Sequence, residues 1–187
     1  MKPLILVKHS QPQIIETVPA REWILSAEGR NRARKLAEIL LRYEPEFIAS
    51  STESKAEETA SNLAEILGLQ VHVVVGLHEH DRSSSPYYSE EVFHALIQKF
   101  FAQQDILVFG SETASQTLTR FRNAVEGILK ARSDDLIVIV SHGTVISLFV
   151  SWLTGCDGYA LWRELGLPSF VVLDMSSRTL LKTENLT

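Results

Sequence analysis

Apolar residues in this chain fall into two patterns. Nearly unbroken blocks at 4–7, 47–50 and 136–140 suit strands buried on both faces of a sheet. Longer stretches place apolar residues three and four apart, as on one face of an α-helix. The first of these holds Ala33, Leu36, Ala37, Leu40 and Leu41, the second Ala56, Ala60, Leu63, Ala64 and Leu67, and the third, over 115–131, Leu118, Phe121, Val125, Ile128 and Leu129. Ser26 reads as a helix N-cap with Glu28 in the first turn, Pro45 ends that helix, and Gly68 closes the second. The pattern predicts further helices over 90–102, 143–153 and 159–165, a strand over 70–75, and a closing hairpin of 170–174 and 179–182 turned by Ser176-Ser177. Residues 10–25 and 76–89 read as loops, and 106–109 suits either a short strand or a packed lid segment. Trp23, Trp152 and Trp162 read as core or helix-packing residues. Strands alternating with helices predict one three-layer α/β/α domain over 1–187, with a mainly parallel central sheet.

Composition narrows the function. A chain of 187 residues can bury one sizeable core. A net charge of −5 argues against a nucleic-acid surface or an anionic-membrane anchor. The single cysteine, Cys156, leaves no intrachain disulfide and fits a reducing compartment. No apolar run approaches the roughly 18 residues of a membrane span, and the segment before Lys8 is short for a secretory signal. A cytoplasmic location is therefore expected. Oligomeric state is left open.

Two of the buried blocks end in the same way. Leu4-Ile5-Leu6-Val7 runs into Lys8-His9-Ser10, and the block at 136–140 runs into Ser141-His142-Gly143. In open α/β sheets ligands bind beyond the carboxyl ends of strands, so two imidazoles from distant parts of the chain are expected in one crevice. Lys8 gives His9 a positive field that keeps its ring neutral, and a neutral ring nitrogen can attack phosphorus. Gly143 and Thr144 open a helix whose free N–H groups suit an anion, with His142 beside them as a donor. The competing reading is a histidine that merely caps that helix. Lys55 falls in the first turn of the second helix, where a cation is unfavourable unless an anion shares the site; an ordinary surface lysine is the alternative. Glu79 follows the 70–75 strand and could protonate a leaving alcohol beside a bound dianion, with Asp81 as a substitute and a solvated loop charge as the bland reading. His78 and His80 lack the carboxylate or cysteine spacing of a closed metal site, and no metal is expected.

Taken together, these segments resemble the histidine phosphatase superfamily, the group that includes cofactor-dependent phosphoglycerate mutases. The family's strand followed by Arg-His-Gly is matched by Val7-Lys8-His9-Ser10, and its Leu-Ser/Thr-x-x-Gly by Leu25-Ser26-Ala27-Glu28-Gly29. Its Ser-Ser-Pro-Leu-x-Arg-Ala-x-Gln-Thr-Ala is matched by residues 50–60, with Thr52, Glu53, Lys55 and Glu58 as departures. Ser111-Glu112-Thr113 with Arg120 looks like its Gly-Glu-Ser segment and later arginine, and Val140 to Ile146 like its Val-Ser-His-Gly-Gly-Val-Ile.

The resemblance implies a metal-independent phosphomonoester hydrolase that needs no cofactor. His9 would be the phosphorylated nucleophile. His142, Lys8 and Lys55 would hold the phosphoryl group, with the backbone of Gly143 and Thr144 nearby. Glu79 would act as acid and then base. The partner would be a small phosphorylated substrate or phosphate. Both motif arginines are lysines here, which keeps the charge and loses the bidentate fork. One lost contact of this kind is typically worth about 3 kcal/mol, so a catalytically weak member that binds a phosphorylated ligand stands as an alternative. Mutase-type phosphoryl transfer is a further one, though no mutase insertion is evident. Ser10 replaces a glycine and is expected to crowd the pocket. Specificity is expected from residues 76–104, with His80, Arg82, Tyr87, Tyr88 and Phe93 lining the pocket or packing a lid.

Overall fold

The apolar blocks become the middle of a sheet. The computed structural model describes residues 2–83, 85–86 and 88–186; Tyr87, expected near the pocket, lies outside them. Among the described residues the strands are β1 (Leu4–Lys8), β2 (Phe47–Ser50), β3 (Val71–Val73), β4 (Ile137–Ser141), β5 (Ser169–Asp174) and β6 (Thr179–Asn185). They form one sheet in the order β3-β2-β4-β1-β5-β6. The first four strands in that order run parallel, and β5 is antiparallel to both its neighbours, β1 and β6.

The helices are α1 (Ala27–Leu40), α2 (Ser54–Leu67), α3 (Glu90–Ala102), α4 (Ala114–Ala131), α5 (Gly143–Thr154) and α6 (Gly158–Glu164). Strand alternation sends Leu4, Leu6, Ile137 and Ile139 to one face, against Phe121 and Val125 of α4 and Phe149 of α5. Ile5, Val7, Val138 and Val140 face the other way, against Leu36 and Leu40 of α1 and Ala60 and Leu63 of α2. The result is the expected three-layer α/β/α arrangement, with β1 and β4 buried on both sides. No helix among the described residues is long and apolar enough to cross a membrane.

Several local expectations change. Of 70–75, β3 and the Val74 N–H pair with β2 at the sheet edge, and Val75 beyond them is 82% exposed. Residues 106–109 form no strand: Phe109 buries against Phe100 and His80, while Ile106 and Leu107 face outward. Leu41 is exposed because the chain tightens there into a 3-10 turn, Leu41–Tyr43. Helix α4 starts at Ala114, set by a capping box between Thr113 and Gln116. Trp152 lies at the surface beneath the guanidinium groups of Arg122 and Arg178.

Candidate active site

The site follows from strand register. In the parallel β1–β4 ladder Lys8 pairs with Ser141, so His9 and His142 leave the sheet side by side. His9 N–H donates to the Ser141 carbonyl at 2.9 Å, and Ser51 N–H donates to the Val140 carbonyl at 2.9 Å, extending the ladder on either side of β4. The two imidazole centroids are 5.1 Å apart at an interplanar angle of 61°. His142 is fully buried and His9 nearly so.

The His9 ring is oriented from behind. Its Nδ1–H donates to the Ser10 carbonyl at 2.8 Å, which leaves the lone pair on Nε2. Ser10 is itself fixed: its N–H donates to Thr59 Oγ1 at 3.0 Å and its hydroxyl to the Gly29 carbonyl at 2.6 Å. The Ser10 side chain thus points to α1 rather than crowding the pocket. The N-terminus of α1 closes on the same segment. Ser26 N–H donates to the Gln11 carbonyl at 3.0 Å, and a Cβ on Gly29 would lie 2.1 Å from that oxygen. This accounts physically for the Leu25-Ser26-Ala27-Glu28-Gly29 spacing. Glu58, a departure from the family pattern, accepts from Leu25 N–H at 2.6 Å and pairs with Arg30.

Two cations and two carboxylates surround the imidazoles. Lys8 passes Gly143, where a Cβ would sit 3.1 Å from Lys8 Cε, and its Nζ donates to the Leu165 carbonyl at 2.7 Å. Burial pushes the Lys8 ammonium down to about 8, against an upward pull from Glu79. Lys55 Nζ donates to the Ala20 carbonyl at 2.8 Å and to Glu53 Oε2 at 2.5 Å. Glu53 Oε1 accepts from Glu79 N–H at 2.8 Å and lies 3.6 Å from His142 Nε2. Burial works to raise the Glu53 carboxyl; Lys55 and the Glu79 N–H outweigh it and hold the group below its ordinary range. His142 Nε2 also lies 2.8 Å from Ser51 Oγ. Both imidazoles sit well below their usual value, through burial first, then through His142 and Lys55 at His9, and through Lys55 and Arg82 at His142. Neutral rings with one free lone pair suit nucleophilic attack and hydrogen-bond donation.

The start of α5 differs from the sequence expectation. The N–H of Thr144 was expected to meet a phosphoryl oxygen, but it donates to Glu79 Oε2 at 3.1 Å, and Val145 N–H to Oε1 at 3.3 Å. Glu79 Oε1 also accepts from His80 N–H at 2.9 Å. Asp81, the substitute for Glu79, turns its carboxylate to the Ser83 N–H in a local turn.

His80 and Arg82, expected to touch substrate, are engaged elsewhere. The His80 ring is 2% exposed, packed on Phe100 and Phe109 at 4.3 and 4.7 Å between centroids. Its Nε2–H donates to the Glu112 carbonyl at 3.1 Å. The Phe100 and Phe109 rings thus hold the His80 imidazole in the aromatic cluster under α3. The Arg82 guanidinium lies 4.8 Å over the Phe93 ring, and Phe93 and Tyr88 pack on Phe109. Arg120, flagged only as a landmark, is a brace. It donates to the carbonyls of Gly76 and His78 at 2.8 Å each and of Glu79 at 3.1 Å, and pairs with Glu112.

Comparison with known proteins identifies the family and the fold. A family model described as the histidine phosphatase superfamily, branch 1, matches residues 4–183. The "Putative phosphoserine phosphatase 2" of Hydrogenobacter thermophilus is 26% identical over 177 residues, covering 87% of this chain and 84% of that protein. Among solved structures, phosphoserine phosphatase of Entamoeba histolytica in complex with 3-phosphoglyceric acid superposes with a TM-score of 0.79 at 20% identity, covering 100% of this chain and 98% of that one. A mycobacterial glucosyl-3-phosphoglycerate phosphatase with inorganic phosphate gives a TM-score of 0.74 at 22% identity, covering 100% and 96%. At these identities the structural matches speak for the fold.

Proposed function

The chain belongs to the histidine phosphatase superfamily, and from that premise we propose that it hydrolyses small phosphomonoesters without a metal, through a phosphohistidine on His9. The observation that carries the proposal is the paired imidazoles, with His9 Nδ1 tied to the Ser10 carbonyl and the lone pair left on Nε2. His9 Nε2 attacks phosphorus, the N–P bond forms and the P–O bond to the alcohol breaks. His142, Lys8 and Lys55 stabilise the charge that develops on the phosphoryl oxygens. Glu79 gives its proton to the leaving oxygen, then takes one from water; that water attacks phosphorus, the N–P bond breaks, and phosphate and free His9 are regenerated. Relatives bound to phosphate, phosphoserine and 3-phosphoglycerate support a small phosphorylated substrate.

The test is hydrolysis of p-nitrophenyl phosphate and a panel of phosphate esters in EDTA, with acid-labile phosphate trapped on the protein. Turnover is expected in the wild-type protein and absent in His9→Ala. Turnover that persists in His9→Ala refutes the nucleophile. One observation favours a second reading, a phosphate-binding protein of low turnover: both lysines are already bonded, Lys8 to a carbonyl and Lys55 to a carbonyl and Glu53. Phosphate binding with neither turnover nor phosphohistidine would support it.

A further inference from the structure

Glu53 is unusual among the side chains of the cup. It is the N-cap of α2, in extended backbone, yet its carboxylate makes no bond to the N–H groups of its own helix. It turns inward instead, is 9% exposed, and is bonded to Lys55 Nζ and Glu79 N–H, with His142 Nε2 at 3.6 Å. A lysine, a backbone N–H and an imidazole nitrogen converging on one group form a donor set that suits an oxyanion. Here the oxyanion belongs to the protein. The Glu53 carboxylate offsets part of the positive charge that Lys8 and Lys55 bring to the cup, so an incoming dianion meets a weaker field than the two lysines alone would give.

Resting on the phosphoryl-site reading above, we infer that Glu53 sets which anions the cup accepts. In the free protein its carboxylate stands in for a bound anion, and a phosphoryl group competes with it for Lys55 and the Glu79 N–H. Displacement leaves a carboxylate beside the phosphoryl oxygens, and that penalty grows with the charge of the ligand. The cup is therefore poorer toward dianions than two lysines alone would make it. The inference concerns selection among anions and adds no chemical step.

Calorimetric titration at neutral pH with inorganic phosphate and with dimethyl phosphate, a monoanion, tests this in the wild type and in Glu53→Gln. The Gln variant is expected to bind phosphate about tenfold tighter or more, with a smaller gain for dimethyl phosphate. Phosphate affinity no tighter than wild type would overturn the inference while leaving the phosphoryl site intact. Equal gains for both ligands would also overturn it, since a merely structural change is blind to charge. No binding of phosphate by either protein would overturn the phosphoryl site itself. A crystal structure of the wild type with phosphate reads the same point without a variant. Glu53 is expected to have left Lys55; phosphate seated among His9, His142 and Lys55 with Glu53 still bonded to that lysine would refute displacement.

Discussion

Arg120 gives a direct measure of how the cup is held. Its guanidinium serves the carbonyls of Gly76, His78 and Glu79 and pairs with Glu112. Arg120→Met removes every guanidinium donor, leaves the Glu112 carboxylate without its cation though still bonded to the Asp81 N–H, and leaves three carbonyls to find water. Breaking one side of a buried ion pair costs about 3–5 kcal/mol. The side chains of Arg120 and Glu112 are 20% and 16% exposed, so the lower end applies, about 3 kcal/mol. For a chain of this size that corresponds to a fall in Tm of about 6–12 °C. Glu79 rides on the braced backbone, and a misplacement of about 1 Å can cost about 10²-fold in rate. We predict that kcat for p-nitrophenyl phosphate falls by that order while KM moves little. Arg120→Lys, which keeps the charge and fewer donors, should fall between. In Arg120→Met/Glu112→Leu both partners are gone, and the double-mutant cycle should return about 1 kcal/mol or more of coupling. A thermal melt within about 2 °C of wild type together with unchanged kcat would refute the brace.

Two further predictions concern how His9 and Lys8 are set. Gly29→Ala should destabilise by about 1–3 kcal/mol and lower turnover, because the new Cβ meets the Gln11 backbone two residues from His9; a melt and rate equal to wild type would show that the contact is slack. Lys8, pushed down to about 8 by burial, loses its proton as pH rises through that value, so kcat/KM should acquire an alkaline limb near 8 that Lys8→Arg moves upward. The same shift costs stability while Lys8 is charged. That cost is relieved as pH rises from about 8 to the ordinary 10.5, because only the unfolded chain holds the proton there. A limb unmoved by Lys8→Arg would remove Lys8 from the binding step.

What could be read in the chain, and what could not, divides by range. The apolar blocks at β1 and β4 announced buried strands, and the histidine after each announced a shared end, because strand register is a local pattern repeated twice. The helices were legible for the same reason, through periodicity and caps such as Ser26. Glu53 was not. Two residues from Lys55 it would not face that lysine within a helix; it does so only because it stands at the N-cap in extended backbone. His80, in the 76–104 segment, reads either as pocket lining or as lid packing, and Phe100 and Phe109 from later in the chain take its ring. The Thr144 N–H looked free for phosphate because nothing nearby in the chain marks Glu79 as its acceptor. Nor does spacing reveal that Arg120 reaches three carbonyls of one loop. The last three depend on contacts between distant segments, which no local pattern encodes.

The strand order has a consequence for biosynthesis. β4 lies between β1 and β2, although both precede it in the chain. As the polypeptide emerges from its N-terminus, the early strands must leave a vacant slot for a partner not yet made, or pair wrongly and later part. Long-range parallel pairing of this kind is slow to form. His9 spends that interval without His142 beside it, so the paired imidazoles assemble only with the central strand's insertion.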